Sequence, residues 1–333
     1  MRITLLVIAV VVLAVLNVFI GAVDIPVRQI LDVLTGNDKE SVEAYIVMQS
    51  RLPMTITAIL AGSGLAVAGL LLQTTFRNPL AGPSILGINS GASLGVAIVM
   101  LAMGGSMTLG SMSVGGYSAV LLGAFAGSIA VMGILLLLST MLRNSLMLLI
   151  TGIMVGYLAS SVIMILNYVS GADSVRGYVM WGMSSFNGVT MSHIPLFATS
   201  VCVGLIAAIA LMKPLNLLTL GDEYARNLGL NTGAVRNMLL GTTGLLSAVI
   251  TAYCGPVSFI GLSVPHIARI VFPTDNHRKL LPAVMLTGAG IGLLCNLLCL
   301  VPGSSVLPLN AVTPLIGAPV VVWIIIKNSL KRG

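Results

Sequence analysis

Residues 51–83 read RLPMTITAILAGSGLAVAGLLLQTTFRNPLAGP. Arg51 and Arg77 bracket a run that carries no charge between them. As a helix rising 1.5 Å per residue, that run is long enough to cross a hydrocarbon layer ~30 Å thick. Pro53 stands at its start, where a missing N–H costs little, and Pro79 and Pro83 close it. One such run could be a buried helix of a large soluble protein, so the rest of the chain decides.

The pattern repeats outward in both directions. Apolar runs bounded by charge, Pro or Gly fall at roughly 3–22, 52–75, 85–104, 115–140, 146–168, 191–212, 235–254, 258–271, 280–300 and 313–328. Hydrophobic residues make up 57% of the 333 and charged residues 8%, against about 25% charged in a soluble domain. So few charges cannot cover a surface facing water. The expected fold is an all-α polytopic membrane protein of about ten helices, a single transmembrane domain over residues 1–333. Met1–Ala22 begins like a signal peptide, but its apolar run from Ile3 to Ile20 exceeds the usual core of one and reads as the first span.

Charge asymmetry sets an orientation. With the N-terminus in the cytoplasm, twelve of the sixteen Lys and Arg fall inside, while Arg28, Lys39, Arg51 and Arg176 fall outside. Both termini are then expected to be cytoplasmic. The net charge of +7 serves topology, and with no basic stripe interleaved with aromatics, nucleic acid is not an expected partner. The glycine sets Gly87/Gly91/Gly95, Gly123/Gly127, Gly152/Gly156 and Gly288/Gly292 have the spacing that lets helix backbones approach in lipid, here read as packing within the chain.

Chemistry-bearing patterns are absent. His193, His266 and His277 are the only histidines, and none sits in an HExxH pattern or beside paired carboxylates. No lysine is followed by Ser or Thr, so there is no Walker A loop to cradle ATP. Cys202, Cys254, Cys295 and Cys299 lie in apolar runs without acids or histidines to complete a metal site, and no metal is expected. All nine acids fall in loops or at helix ends. An ion-coupled secondary transporter, the alternative reading, usually keeps an ionisable group within the membrane. Any energy for transport is then expected from a partner, with no cofactor in this chain.

Three segments stand apart. Arg77–Pro83 followed by Leu86–Ala92, and Gly255–Leu262 followed by Pro265–Arg269, each join a Gly-Pro step to an Ile or Leu and a Gly, a weak sign of two repeated halves. The third, Leu220–Leu230, contains Gly221, Asp222, Glu223, Tyr224, Ala225, Arg226, Leu228 and Gly229: a short charged helix in the largest inner loop, with Gly229 suited to a left-handed cap.

Together with Arg51-Leu52-Pro53, Gln73, Arg77-Asn78-Pro79-Leu80-Ala81, Pro265-His266, Arg269, His277–Pro282 and Thr313–Pro319, these segments resemble the FecCD/BtuC-like permeases, the membrane subunits of type II ABC importers for vitamin B12, haem and iron-siderophores. The resemblance implies ten helices per protomer and a dimer, expected to be of identical chains, around a central pathway. Partners would be two ATP-binding-cassette subunits, which hold ATP and Mg, and a periplasmic or lipid-anchored binding protein. Asn144, Ser145 and Leu146 would form the cytoplasmic gate, and Met147, Thr151, Met154, Met164 and Asn167 would line the pathway. The Gly221–Gly229 segment would couple to the ATPase, and Arg51 would face the periplasm to dock the binding protein. The chain departs from the family pattern at Met54, at Cys295-Asn296-Leu297-Leu298-Cys299 and at Val306, where charges are frequent. Docking is therefore expected to use Arg28, Arg51, Arg176 or apolar contacts.

Overall fold

A computed structural model describes residues 2–109, 112–142, 145–301 and 306–330. The chain opens with α1 (Arg2–Phe19), then the surface helix α2 (Val27–Leu34) and α3 (Val42–Ile46), which runs through a π-turn into α4 (Leu52–Phe76). After an irregular segment comes α5 (Ile88–Ala97), extended by a second π-turn at 98–102. A β-hairpin follows, β1 (Ser106–Leu109) antiparallel to β2 (Met112–Gly115), a small exception to the all-α expectation. Then come α6 (Gly116–Met141), α7 (Ser145–Val169), α8 (Ala172–Gly182), α9 (Ile194–Ala210), α10 (Met212–Thr219) and α11 (Asp222–Asn227). The chain ends with α12 (Thr232–Cys254), α13 (Ile260–Val271), α14 (His277–Leu300) and α15 (Leu309–Leu330).

All ten apolar segments are helical, but ten full spans are not established. Among the described residues six helices are long and apolar enough to cross a membrane, or seven if α9 and α10, bent by 50°, count as one. The α5 unit, α13 and α15 are shorter. α2 buries Ile30 and Val33 against Ala44 and Val47. α8 was not foreseen; it is short and only partly buried, with Tyr178 and Trp181 packed against the core.

α4 forms the axis of the fold, packed by α14, α12, α13 and α9. Small residues make this possible, because dispersion between close backbones replaces the hydrophobic drive that lipid cannot supply. A Cβ on Gly62 would collide with the carbonyl of Gly288, and Gly91 and Gly95 sit likewise against Gly127 and Gly123. Gly152 and Gly156 face Leu86 and Gly87. The glycine pairs are thus spent within one chain. At Gly69 a Cβ would collide with the Gly261 carbonyl oxygen. That carbonyl lies four residues before Pro265, which has no N–H to offer it, so the missing donor and the missing side chain meet at one spot.

Candidate functional site: a polar knot and a coupling segment

The end of α4 cannot continue past Phe76 because Asn78 precedes Pro79. Arg77 instead adopts a left-handed conformation (φ 45°), and the Asn78 N–H bonds the Gln73 carbonyl at 3.2 Å, closing the helix in a Schellman-type turn. Asn78 Oδ1 accepts from the Leu80 N–H at 2.9 Å and starts the irregular segment.

This turn is tied to elements distant in sequence. Arg269 of α13 donates to Gln73 Oε1 at 3.0 Å, and Gln73 Nε2 donates to the Leu262 carbonyl at 3.1 Å. His266 Nε2 lies 2.8 Å from the Pro79 carbonyl oxygen, and Pro265 packs inside α13. Arg77, Asn78, Pro79, Pro265, His266 and Arg269 are thus brought together. Through His277 the knot extends to Thr74 and Asn216, which motif reading passed over: Thr74 Oγ1 is 3.0 Å from His277 Nε2, while Asn216 Oδ1 lies 2.9 Å from His277 Nδ1 and accepts from the His277 backbone N–H at 2.8 Å. Asn216 had no motif to mark it. Its only signal is a polar residue on a short apolar helix, α10.

The coupling segment hangs from this knot. Arg77 Nη2 meets Asp222 Oδ1 at 2.5 Å, both side chains about half exposed. Gly221 (φ 119°) turns the chain into α11, and Asp222 and Glu223 occupy its first turn, where the helix dipole favours acids. Ala225 is buried, and Arg226 Nε donates to Thr232 Oγ1 at 2.9 Å. Gly229 (φ 84°) ends the helix, with the Leu230 N–H bonded to the Ala225 carbonyl at 3.0 Å. Tyr224 and Leu228 remain 56% and 54% exposed, an apolar pair on a rigidly held helix.

α7 has the opposite character. Leu146, Met147, Met154 and Met164 are exposed, Thr151 and Asn167 half-buried, and Tyr168 is 91% exposed. Thr151 and Asn167 bond carbonyls one turn back, those of Met147 and Ile163. Ser145 begins α7, while Asn144 lies outside the described residues.

Arg51 departs from expectation. It is only 3% exposed, and its guanidinium donates to the Val18, Phe19 and Val23 carbonyls, those of Val18 and Phe19 at 3.0 and 2.8 Å. The last carbonyls of a helix lack intrahelical donors and carry partial negative charge, so a cation is drawn there. Gly21 gives the guanidinium room, since a Cβ there would stand 2.7 Å from Nε. Arg51 therefore faces inward as a latch on α1 and does not present its charge outward. Asn296, on the helix where the family often has charges, bonds the buried Asn17 Oδ1 at 2.7 Å and clamps α1 to α14.

The sequence profile of the FecCD transport family matches residues 7–327. The chain belongs to the FecCD transport family. It is 36% identical over 284 residues to the vitamin B12 import system permease protein BtuC of Salmonella typhimurium, covering 85% of this chain and 84% of that one. The Salmonella arizonae protein of the same name matches equally, with 83% of its length covered. Among solved structures, an ABC transporter described as metal-chelate type, in an inward-facing conformation, superposes with a TM-score of 0.85 at 27% identity over 98% of both chains. PsaBC from Streptococcus pneumoniae shares the fold alone, with a TM-score of 0.52 at 14% identity over 81% of this chain and 88% of that one. The protein is a multi-pass membrane permease of the ABC-importer type.

Proposed function

We propose that this chain, as one permease domain, forms with a second copy the pathway by which an ABC importer moves an intact metal chelate across a bacterial inner membrane, both termini cytoplasmic. The observation that carries the reading is α11: a short helix fixed at one end of the bundle by Arg77–Asp222 and Arg226–Thr232, its Tyr224 and Leu228 uncovered. Such a helix transmits a partner's motion as a rigid body, which suits two ATP-binding-cassette subunits that bind ATP and Mg themselves. The exposed stripe of α7, with Met147, Thr151, Met154, Met164 and Asn167, lines the pathway in this reading. Asn144, Ser145 and Leu146 form its inner gate. The chain acts as a transport subunit without catalytic groups, and the names of its relatives favour a corrinoid or another chelate as cargo. With Arg51 turned inward, the binding protein docks through Arg28, Arg176 or the exposed apolar positions of α2 and α3.

Purification of the tagged chain from native membranes in mild detergent, followed by intact-complex mass spectrometry, tests this. Two copies with two ATPase subunits support it. Recovery of the chain alone in several gentle detergents, with uptake driven by an ion gradient and insensitive to ATP depletion, overturns it in favour of a secondary transporter.

A further inference from the structure

Two breaks in the helical chain converge. One is the irregular segment 77–87 between α4 and α5; the other is 255–259 between α12 and α13. Gly255 (φ 79°) and Phe259 (φ 65°) hold the second in conformations no helix uses. The first break touches the start of α13, just past the second: a Cβ on Gly261 would sit 3.0 Å from Pro83 Cδ. Buried Asn89, in the first turn of α5, reaches the second break: it accepts from Thr251 Oγ1 at 3.1 Å while its Nδ2 lies 3.4 Å from the Val257 carbonyl. In a membrane protein, non-helical backbone is tolerated only where protein buries it or where it borders a wet cavity, and paired breaks in apolar segments mark binding sites.

A cavity of about 340 Å³ lies against both breaks. Ser84 from the first, Ser258 from the second, Ser90 and Ser93 of α5, Ser160 of α7 and Tyr178 of α8 supply its hydroxyls, and no charged residue among the described ones lines it. Ser160 bonds back to the Gly156 carbonyl at 2.9 Å and keeps its lone pairs for an incoming donor. The hydroxyls of Ser84, Ser90 and Ser258 make no hydrogen bond among the described residues. Ser84 and Ser160 are exposed and Ser90, Ser93, Ser258 and Tyr178 half-buried, so the recess is open and its hydroxyls can bond what enters it.

We propose that this recess is a polar subsite of the transport pathway, taking an uncharged hydrogen-bonding arm of the cargo, a carboxamide or hydroxyl group, as the chelate passes. The proposal rests on the permease reading above. Hydroxyls both donate and accept, so they match an amide at either end, whereas a carboxylate or metal cation would find no counter-charge. The volume stands at the low end of ligand sites and suits an arm, not a whole chelate. Several weak bonds, none ionic, also let the cargo leave, which a pathway requires.

The test uses the complete importer in proteoliposomes with cyanocobalamin, whose ring carries amide arms, and with haem, whose arms are carboxylates. The triple variant Ser90→Ala, Ser93→Ala, Ser258→Ala is expected to lower kcat/KM for cyanocobalamin about tenfold, a few-fold per lost bond, and to leave haem uptake within about twofold. To separate a folding defect, Ser258→Cys in a Cys202→Ser background is expected to react with a water-soluble thiol reagent and to be shielded by cyanocobalamin. Unchanged cyanocobalamin kinetics in the triple variant, or a Cys at 258 that the reagent never reaches, overturns the subsite and leaves the permease reading standing. ATP-driven uptake of neither probe by the unmodified complex overturns the amide-arm subsite, while the permease reading is judged separately by recovery of the ATPase complex.

Discussion

α4 and α7 are equally apolar by sequence, yet α4 is buried over 83% of its most apolar stretch and α7 over 28%. What separates them is side-chain size. α4 spends its middle on Ala, Gly, Ser and Thr, so neighbouring backbones close on it from several sides. α7 carries Met, Leu, Ile and Tyr on a stripe that stays exposed among the described residues. In lipid, hydrophobicity says only that a helix is in the membrane; the distribution of small residues says which helix is the axis. A helix rich in bulky residues is left free to meet lipid, cargo or a second copy.

The largest effect tests the axis. Gly69→Ala places a methyl group against the Gly261 carbonyl, and neither backbone can retreat without moving α4 or α13. The expected loss is about 3 kcal/mol, seen as a lower melting temperature in detergent and a fall in folded yield. Gly133→Ala on α6, where a Cβ meets nothing within 4 Å, is the control and is expected to change stability by less than about 1 kcal/mol, on the favourable side. Equal losses at both sites would show that the close approach does not hold the fold.

Arg51 comes next. Arg51→Ala strands the last carbonyls of α1 and is expected to cost about 2 kcal/mol. Arg51→Lys recovers part of this, because a single ammonium cannot fork across three carbonyls. Reduced affinity for the binding protein at an unchanged melting temperature would instead restore Arg51 to the outer surface.

The contrast also shows what reading the chain can reach. The helical segments were legible because lipid imposes a length and an apolarity on each. The turn at Arg77–Pro79 and the left-handed Gly229 were legible because proline and glycine restrict the backbone locally. The burial of Arg51 was not legible because it depends on α1 ending beside it, a contact between residues distant in sequence. The Asn17–Asn296 clamp and the His277–Asn216 contact are likewise pairings across the fold, where single residues carry no periodic signal. α8 was missed for another reason: it is short and only partly buried, with Tyr178 and Trp181 packed against the core and no residue fully covered.

A smaller effect is expected where the coupling helix hangs from the axis. Arg77 and Asp222 are each about half exposed, so a double-mutant cycle on Arg77→Ala and Asp222→Ala is expected to give a coupling energy of about 0.5 kcal/mol, weakened by salt. The functional readout should exceed the stability readout, because the pair fixes the placement of α11 more than it supports the core. In the assembled importer, either single variant is expected to uncouple ATP hydrolysis from uptake several-fold. The swapped pair Arg77→Asp, Asp222→Arg should recover part of it. A swap no better than the single variants would show that the pair does not position α11.

The smallest effect belongs to α7. A buried Met→Ala costs about 2–5 kcal/mol, but Met154 lies on the uncovered stripe, and Met154→Ala is expected to shift the stability of the isolated chain by less than about 0.5 kcal/mol. That near-silence is the informative result, since a residue that contributes nothing to its own fold at so apolar a position is free to contribute elsewhere. Crosslinking separates the destinations. If the stripe faces a shared pathway between two copies, Met164→Cys, at 74% exposure, should form a disulfide-linked dimer in native membranes. Val203→Cys on α9, also exposed, should not. Equal crosslinking at both would assign α7 to bulk lipid and leave the axis helix as the one half of the comparison with a partner.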